Sequence, residues 1–451
     1  MNKITSEGDV NTSSNRKNWQ DKNTNYETSC VLRDDEDIFL HQSLSTPCLN
    51  VLKKSKGIYL EDISGKIYMD FHGNNVHQVG FGNEDVKNAI INEMEELPFS
   101  PRRYTNNSAI ILAQKLSDKT NNVLNKVLFS PGATSSIGIA MKLARLVTKK
   151  DGFLSFWDSF HGASIDAISL GGTAHFRNGI GSLLTGCEHL IPYNSYRPIF
   201  DEDTFLTILD YTLEKHGDIA AFFMETIRNT EVEIPSYKLM KGIRDICTKH
   251  NTLLVLDETA IAMGRTGKFF AFEHYDIVPD IVVIGKGLGG GIFPISALLT
   301  KDEFNIGQYT SLGHYTHEKS SVGCAAANAA IDFIDNNNIL EKTSNMEKFV
   351  LDRLNILKNK YEIIGDVRAI GLLFAIELVK DRKTKEKAES EADRILYNCL
   401  DLGLSFKVSS GILTLSPPLI IEKHELEKAL EILEESIKIE NIKLFGGNNN
   451  E

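Results

Sequence analysis

Apolar and polar positions alternate through GIYLEDISGKIYMD, residues 57–70, on either side of a Ser-Gly turn. This period of two predicts a strand hairpin. The next stretch, FHGNNVHQVGFGNEDV, is glycine-rich and polar and reads as a loop, with a helix opening near Asn83 or Asp85. From about residue 105 to 330, helical stretches (137–148, 238–250) alternate with short β-branched runs (219–226, 252–257, 280–284). Strands alternating with helices predict an α/β domain with a mainly parallel sheet covered on both faces.

After about residue 335 the texture changes: Glu- and Lys-rich helical segments (339–358, 387–402, 423–439) flank the strand-like VRAIGLLFAIELV and ILTLSPPL. These patterns give a flexible tail over 1–36 and the N-terminal part of a small domain, with a substrate loop, over 37–95. A large α/β domain follows over 96–335, then the C-terminal part of the small α+β domain over 336–445 and a tail over 446–451. The expected tail at the start follows from its Asn, Ser, Asp and Lys content, which buries too little surface to offset ordering.

Composition narrows the function. The 451 residues carry 61 acidic and 49 basic side chains, a formal charge of −12. Such a surface lacks the basic footprint of a nucleic-acid or anionic-membrane binder. The longest apolar runs are strand-sized, too short to cross a bilayer. The first residues have no apolar core of the secretory kind. Six scattered cysteines with no Cys-x-x-Cys pair make neither a disulfide framework nor a zinc site. A cytoplasmic enzyme without a metal is the expectation.

The block 253–300, LLVLDETAIAMGRTGKFFAFEHYDIVPDIVVIGKGLGGGIFPISALLT, is the most informative. Asp257 falls at the carboxyl end of one buried-type strand, and Lys286 just after another, where open α/β sheets bind ligands. A lysine held against low-dielectric protein loses its proton more easily, because desolvation penalises the ammonium, and the neutral amine can form a Schiff base with a carbonyl. Either residue alone reads more readily as a solvated loop lysine or a capping aspartate. GKGLGG also matches G-x-G-x-x-G, but Pro294 follows where a dinucleotide fingerprint needs a helix, so that reading is rejected.

The order D-E-x-x-x-x-x-G-R-T-G-K, then E-H-x-x-x-x-P-D, then G-K-G-L-G-G-G, resembles the class III pyridoxal-phosphate aminotransferases of fold type I. The resemblance runs from about residue 40 to 440 and includes GIYLEDISGKIYMDF at one end and SPPLIIEKHELEKALEIL at the other. It implies pyridoxal 5'-phosphate as cofactor, Lys286 as Schiff-base lysine and proton shuttle, and Asp257 as partner of the pyridine nitrogen. It places Phe160 of SFHGAS on the cofactor face, with His161 and Thr259 beside the cofactor. Ala133, Thr134 and Ser135 of PGATSS would hold the phosphate at a helix amino terminus, which suits a dianion. Thr316 would reach the phosphate of a neighbouring subunit, implying a homodimer with active sites at its interface. Glu225 stands where the family has an acid near the active site.

Departures from the family pattern narrow the reaction. Where class III aminotransferases carry an arginine that forks onto a keto-acid carboxylate, this chain has Thr414, which cannot make a bidentate charged pair. Ala133, Ser135, Ala260 and the HEKSS that follows Thr316 also differ from the usual residues. The substrate side is unusually polar: His72, Asn74, Asn75, His77 and Gln78 in one loop, Arg102 and Arg103 in another. The arginines read either as solvated surface or as anion capture. The Asn-Asn-Val element resembles family members that eliminate a β-substituent. The leading expectation is therefore a lyase that releases ammonia from a β-hydroxy amine, an aminophosphonate, with Asn75, His77, Arg102, Arg103 and Glu225 on the substrate. The alternative is an aminotransferase passing the amino group of a small amine or ω-amino acid to a keto acid. A cofactor-binding effector domain would need a DNA-binding module, for which residues 1–40 are too short and polar.

Overall fold

Seven strands form the sheet of the larger of two units, from edge to edge Lys126–Ser130, Ser296–Thr300, Ile281–Ile284, Leu253–Asp257, Ile219–Glu225, Gly152–Phe156 and Cys187–Leu190. Ser296–Thr300 runs against both neighbours, and the other six point the same way. The computed structural model describes residues 13–42 and 45–446. Its larger unit comprises 83–229 and 233–340, and its smaller unit takes the residues before 83, 230–232 and those from 341 onward.

The central strands IAAFFME, LLVLD and IVVI are buried almost throughout, as a parallel sheet with both faces covered requires. Helix Ala133–Thr148 sets Ile137, Ile139, Ala140, Met141, Leu143 and Ala144 against Phe153, Phe223, Val255 and Val283 of the sheet. Helix Tyr237–Lys249 buries Leu239, Met240, Ile243 and Cys247, a helical stripe. The six parallel strands end on one edge, so the segments after Ser130, Phe156, Glu225, Asp257 and Ile284 all emerge there. Those segments carry most of the residues singled out from sequence. Lys286–Gly289 is a short 3-10 turn that leads toward the next strand without opening a helix, as Pro294 predicts.

The smaller unit has two sheets. Tyr59–Asp62 and Ile67–Asp70 form the predicted hairpin, flanked by Leu52–Lys56 and Leu404–Ser405; Ile364–Ile370, Leu373–Asp381, Ile412–Leu415 and Lys407–Ser409 form the second sheet, with Glu386–Lys387 paired to Leu373–Asp381. Two expectations need correction. The span read as a tail contains helices Ser14–Asn23 and Tyr26–Ile38, capped by Ser13 and Asn25. Trp19, only 4% exposed, anchors the first, and Ser13 and Asn15 bond Asp393 while Lys22 and Asn23 bond Asp401. Long-range polar pairs, invisible to composition, supply what the apolar content lacks. The unit boundary also falls at 82/83 instead of 95/96, because helix Glu84–Glu96 packs on helix Ser321–Asn336 of the larger unit. The expected tails at 1–12 and 447–451 lie outside the described residues. Among the described residues, no helix is long and apolar enough to cross a membrane.

Candidate active site

Asp257 closes its strand beside Glu225, its register partner on the adjacent strand. Asp257 is buried; its Oδ2 lies 2.9 Å from His161 Nδ1, and its Oδ1 accepts from the Thr259 amide at 3.1 Å and the Thr259 hydroxyl at 2.5 Å. Burial pushes this carboxyl up, but the His161 and Thr259 hydrogen bonds and the His161 charge outweigh it and hold it below the usual range. A carboxylate at Asp257 makes His161 Nδ1 the donor, with Nε2 on the far side of the ring. That Nε2 is buried with no partner among the described residues. Glu225 is shifted the other way: burial raises it against the pull of His161 and of the Asn229 amide at 3.0 Å, and Asp257 adds to the rise. Two neighbouring carboxyls thus differ in charge preference because only one has strong donors.

Three segments converge around Gly285. A β-carbon there would come within 3.2 Å of Ala133 Cβ and 3.4 Å of Thr259 Cγ2, so the turn after Ser130, the residues after Asp257 and the approach to Lys286 touch. A β-carbon on Gly162 would come 2.4 Å from Thr134 Oγ1, which sets Thr134 against the SFHGAS loop. Phe160 in that loop is 39% exposed, with its ring 4.5 Å from Phe176. Lys286 has φ +46°, the left-handed region, and its side chain is exposed. The expectation is of a lysine desolvated by surrounding protein; in this chain its side chain is on the exposed side.

Helix Ala133–Thr148 starts after Gly132 with no side-chain cap, so its amino terminus is available to an anion. The Ser135 amide already donates to Gly132 O at 3.0 Å, which leaves Ser135 only its hydroxyl for that purpose. Thr316, Arg102 and Arg103 are exposed and share an open cavity of about 800 Å³ with His314 and Glu318. His314, at φ +87°, adopts a backbone region that costs a non-glycine residue about 1–3 kcal/mol, and its amide donates to Glu318 Oε2 at 3.2 Å.

Other predicted residues lie in the smaller unit. Asn75 is buried and accepts from Ser416 Oγ at 2.8 Å. His77 is fully buried, its ring 5.1 Å from that of Phe81, with Nε2 3.3 Å from Asp70 O. Both are packing positions in this unit, a correction to the expectation that they face substrate. Thr414, 3% exposed, donates to Thr230 O at 2.8 Å. Glu258 and His314 were not singled out from sequence. Glu258 is fully buried, accepts from Thr226 Oγ1 and the Ala271 and Phe272 amides, and is pushed by burial up to about 7 despite those donors. Its place beside Asp257 was the only available signal.

The larger unit fits the cofactor that the family resemblance implies. An uncapped helix start suits a phosphate, a depressed buried carboxylate suits a ring nitrogen, and the partly exposed Phe160 suits a ring face. Lys286 offers an exposed amine.

Residues 41–437 match the profile of aminotransferase class III. The chain is 49% identical to (R)-1-hydroxy-2-aminoethylphosphonate ammonia-lyase of Vibrio splendidus, covering 96% of this chain and 95% of that one. It is 34% identical to leucine/methionine racemase of Thermococcus litoralis, covering 89% and 93%. Among solved structures, taurine:2-oxoglutarate aminotransferase of Bifidobacterium kashiwanohense, in complex with PLP and glutamate, superposes with a TM-score of 0.87 at 27% identity, covering 92% of this chain and 99% of that one.

Proposed function

The chain belongs to the class III aminotransferase family, and from that premise we propose that it is an ammonia-lyase acting on (R)-1-hydroxy-2-aminoethylphosphonate. It is a pyridoxal-phosphate enzyme of fold type I. The observation that carries the substrate reading is the 49% identity to the Vibrio splendidus lyase over nearly the full length of both chains.

When bound, pyridoxal phosphate supplies an electron sink for the carbon that loses its proton. In this reading Lys286 Nζ takes that proton from the amine-bearing carbon. Asp257 holds a negative charge for the ring nitrogen, steadied by His161 and Thr259. The hydroxyl leaves the neighbouring carbon as water, and one water returns in hydrolysis, so the net products are phosphonoacetaldehyde and ammonia. Ala133, Thr134 and the Ser135 hydroxyl hold the cofactor phosphate, and Phe160 covers the ring. Arg102 and Arg103 take the phosphonate, for which a planar guanidinium offers paired donors. Thr414 presents no cation to a keto acid, and its hydroxyl is engaged by Thr230 O. The reading includes a cytosolic homodimer in which Thr316, exposed in this chain, serves the cofactor phosphate of a second copy.

The test is to incubate purified holoenzyme with the hydroxylated aminoethylphosphonate, with and without pyruvate or 2-oxoglutarate, and to measure free ammonia. Ammonia released without an acceptor is expected. Amino-acid formation that depends on the acceptor would overturn the lyase reading in favour of an aminotransferase.

A further inference from the structure

A line of three buried hydroxyls runs from the phosphate turn to the strand that leads into Lys286. Ser130 Oγ is 2.9 Å from Ser136 Oγ, Ser136 Oγ is 2.9 Å from Ser296 Oγ, and Ser296 Oγ donates to Ile284 O at 2.6 Å. Ser130 Oγ also lies 2.8 Å from Gly132 O. None of the three serines is more than 1% exposed.

Counting protons orders this line. Three hydroxyls bring three protons to four contacts, and the two carbonyls can only accept. Ser130 donates to Gly132 O, which also receives the Ser135 and Ser136 amides at 3.0 and 3.3 Å, and Ser296 donates to Ile284 O, the shortest of the four contacts. Ser136 sits between these two hydroxyls with one proton of its own, so it donates to one of them and stands against the lone pairs of the other. Its hydroxyl therefore bridges a serine tied to the phosphate turn and a serine tied to the strand before Lys286. In a low-dielectric interior such linked hydroxyls strengthen one another.

Its two ends matter. Ser130 closes the strand that opens into the phosphate turn, and Ser136 lies one helical turn beyond Gly132. Ile284 stands two residues before Lys286. Between them, Gly285 packs closely against Ala133 and Ser296, whose β-carbons lie 3.2 and 3.5 Å from where its own β-carbon would stand.

We infer that Ser130, Ser136 and Ser296 are positioning residues that fix the spacing between the phosphate-holding helix start and the turn bearing Lys286, and so set the two-point capture of pyridoxal phosphate. This rests on the cofactor assignment above and is independent of whether the enzyme is a lyase or an aminotransferase.

A cofactor lacking the phosphate makes only one of the two attachments, which isolates the effect. The full-length apoenzyme is titrated with pyridoxal phosphate and, separately, with pyridoxal, following imine absorbance. For Ser136→Ala, the dissociation constant of pyridoxal phosphate should rise about tenfold while that of pyridoxal stays within about twofold. Ser296→Ala, which cuts the next link, gives the same ratio and stands in if Ser136→Ala does not fold. The double variant should bind no worse than about either single variant, since the chain is already broken. Equal weakening of both ligands, unchanged pyridoxal phosphate affinity, or additive losses in the double variant would overturn the inference. A wild-type chain that forms an imine with neither aldehyde would overturn the cofactor assignment along with it.

Discussion

His161 Nδ1 stands 2.9 Å from Oδ2 of Asp257, with both side chains closed off from solvent. The contact joins a loop that follows one strand to the end of another, and it is the charge-assisted bond that opposes burial at Asp257. Replacing His161 with Ala leaves that carboxyl only the Thr259 donors, so its pKa rises. A group held low is ionised above its pKa, so the acid limb of the kcat/KM profile should move to higher pH. The rate at neutral pH should fall about 10- to 100-fold, as for other lost orienting partners. A pH–rate series on the holoenzyme checks both; an acid limb that stays in place would show that Asp257 does not depend on His161.

Arg102 and Arg103 share their cavity with Thr316 and the strained His314. In a chain of net charge −12, a paired cationic wall is a local exception, suited to an oxyanion. Changing both arginines to Ala should raise KM for the phosphonate substrate about 100-fold or more, because a bidentate charged contact is lost at each, while kcat changes little. An amine substrate without the phosphonate should show no such rise. Steady-state kinetics on the two substrates separate this from a general loss of structure.

Thr414 sits mid-sheet, between Ala375 and Lys407 in register, with its hydroxyl on Thr230 O. Arginine at this position would force a long cation into a site that is 3% exposed. Thr414→Arg should therefore destabilise the chain by about 1–3 kcal/mol through overpacking alone and should not speed ammonia release. Urea unfolding and the ammonia assay together test this; a faster lyase would contradict the role given to this position.

What could be read from the sequence was local or periodic. The hairpin at 59–70, the buried strands and the placement of Asp257 and Lys286 at strand ends follow from alternation, β-branched runs and the rule that parallel sheets bind at their carboxyl edge. What could not be read depends on partners far along the chain. Helix Ser14–Asn23 looks like solvated tail until Asp393 and Asp401 are brought beside it. His77 looks available in a polar loop, but folding carries its ring under Gly73 and against Phe81. Ser136 and Ser296 lie 160 positions apart, and nothing in either neighbourhood announces that their hydroxyls meet.

Glu258 offers a stability test whose sign follows from its burial. The folded-state carboxyl is raised from 4.5 to about 7, with burial outweighing the Thr226, Ala271 and Phe272 donors. The unfolded chain ionises this group near 4.5 and the folded chain near 7, so between those values the folded state binds the extra proton. Stability from this group is present in full below about 4.5 and is lost as pH rises through 7, at a total of about 3 kcal/mol. Glu258→Gln stays neutral and keeps an acceptor, but cannot serve both amides and Thr226 as a carboxylate does. Near pH 5 it should be somewhat less stable than the parent, and the difference should shrink or reverse by pH 8. Urea midpoints measured at several pH values decide it: a difference that does not change with pH would mean that Glu258 is ionised in the folded chain across the whole range, its three donors outweighing its burial.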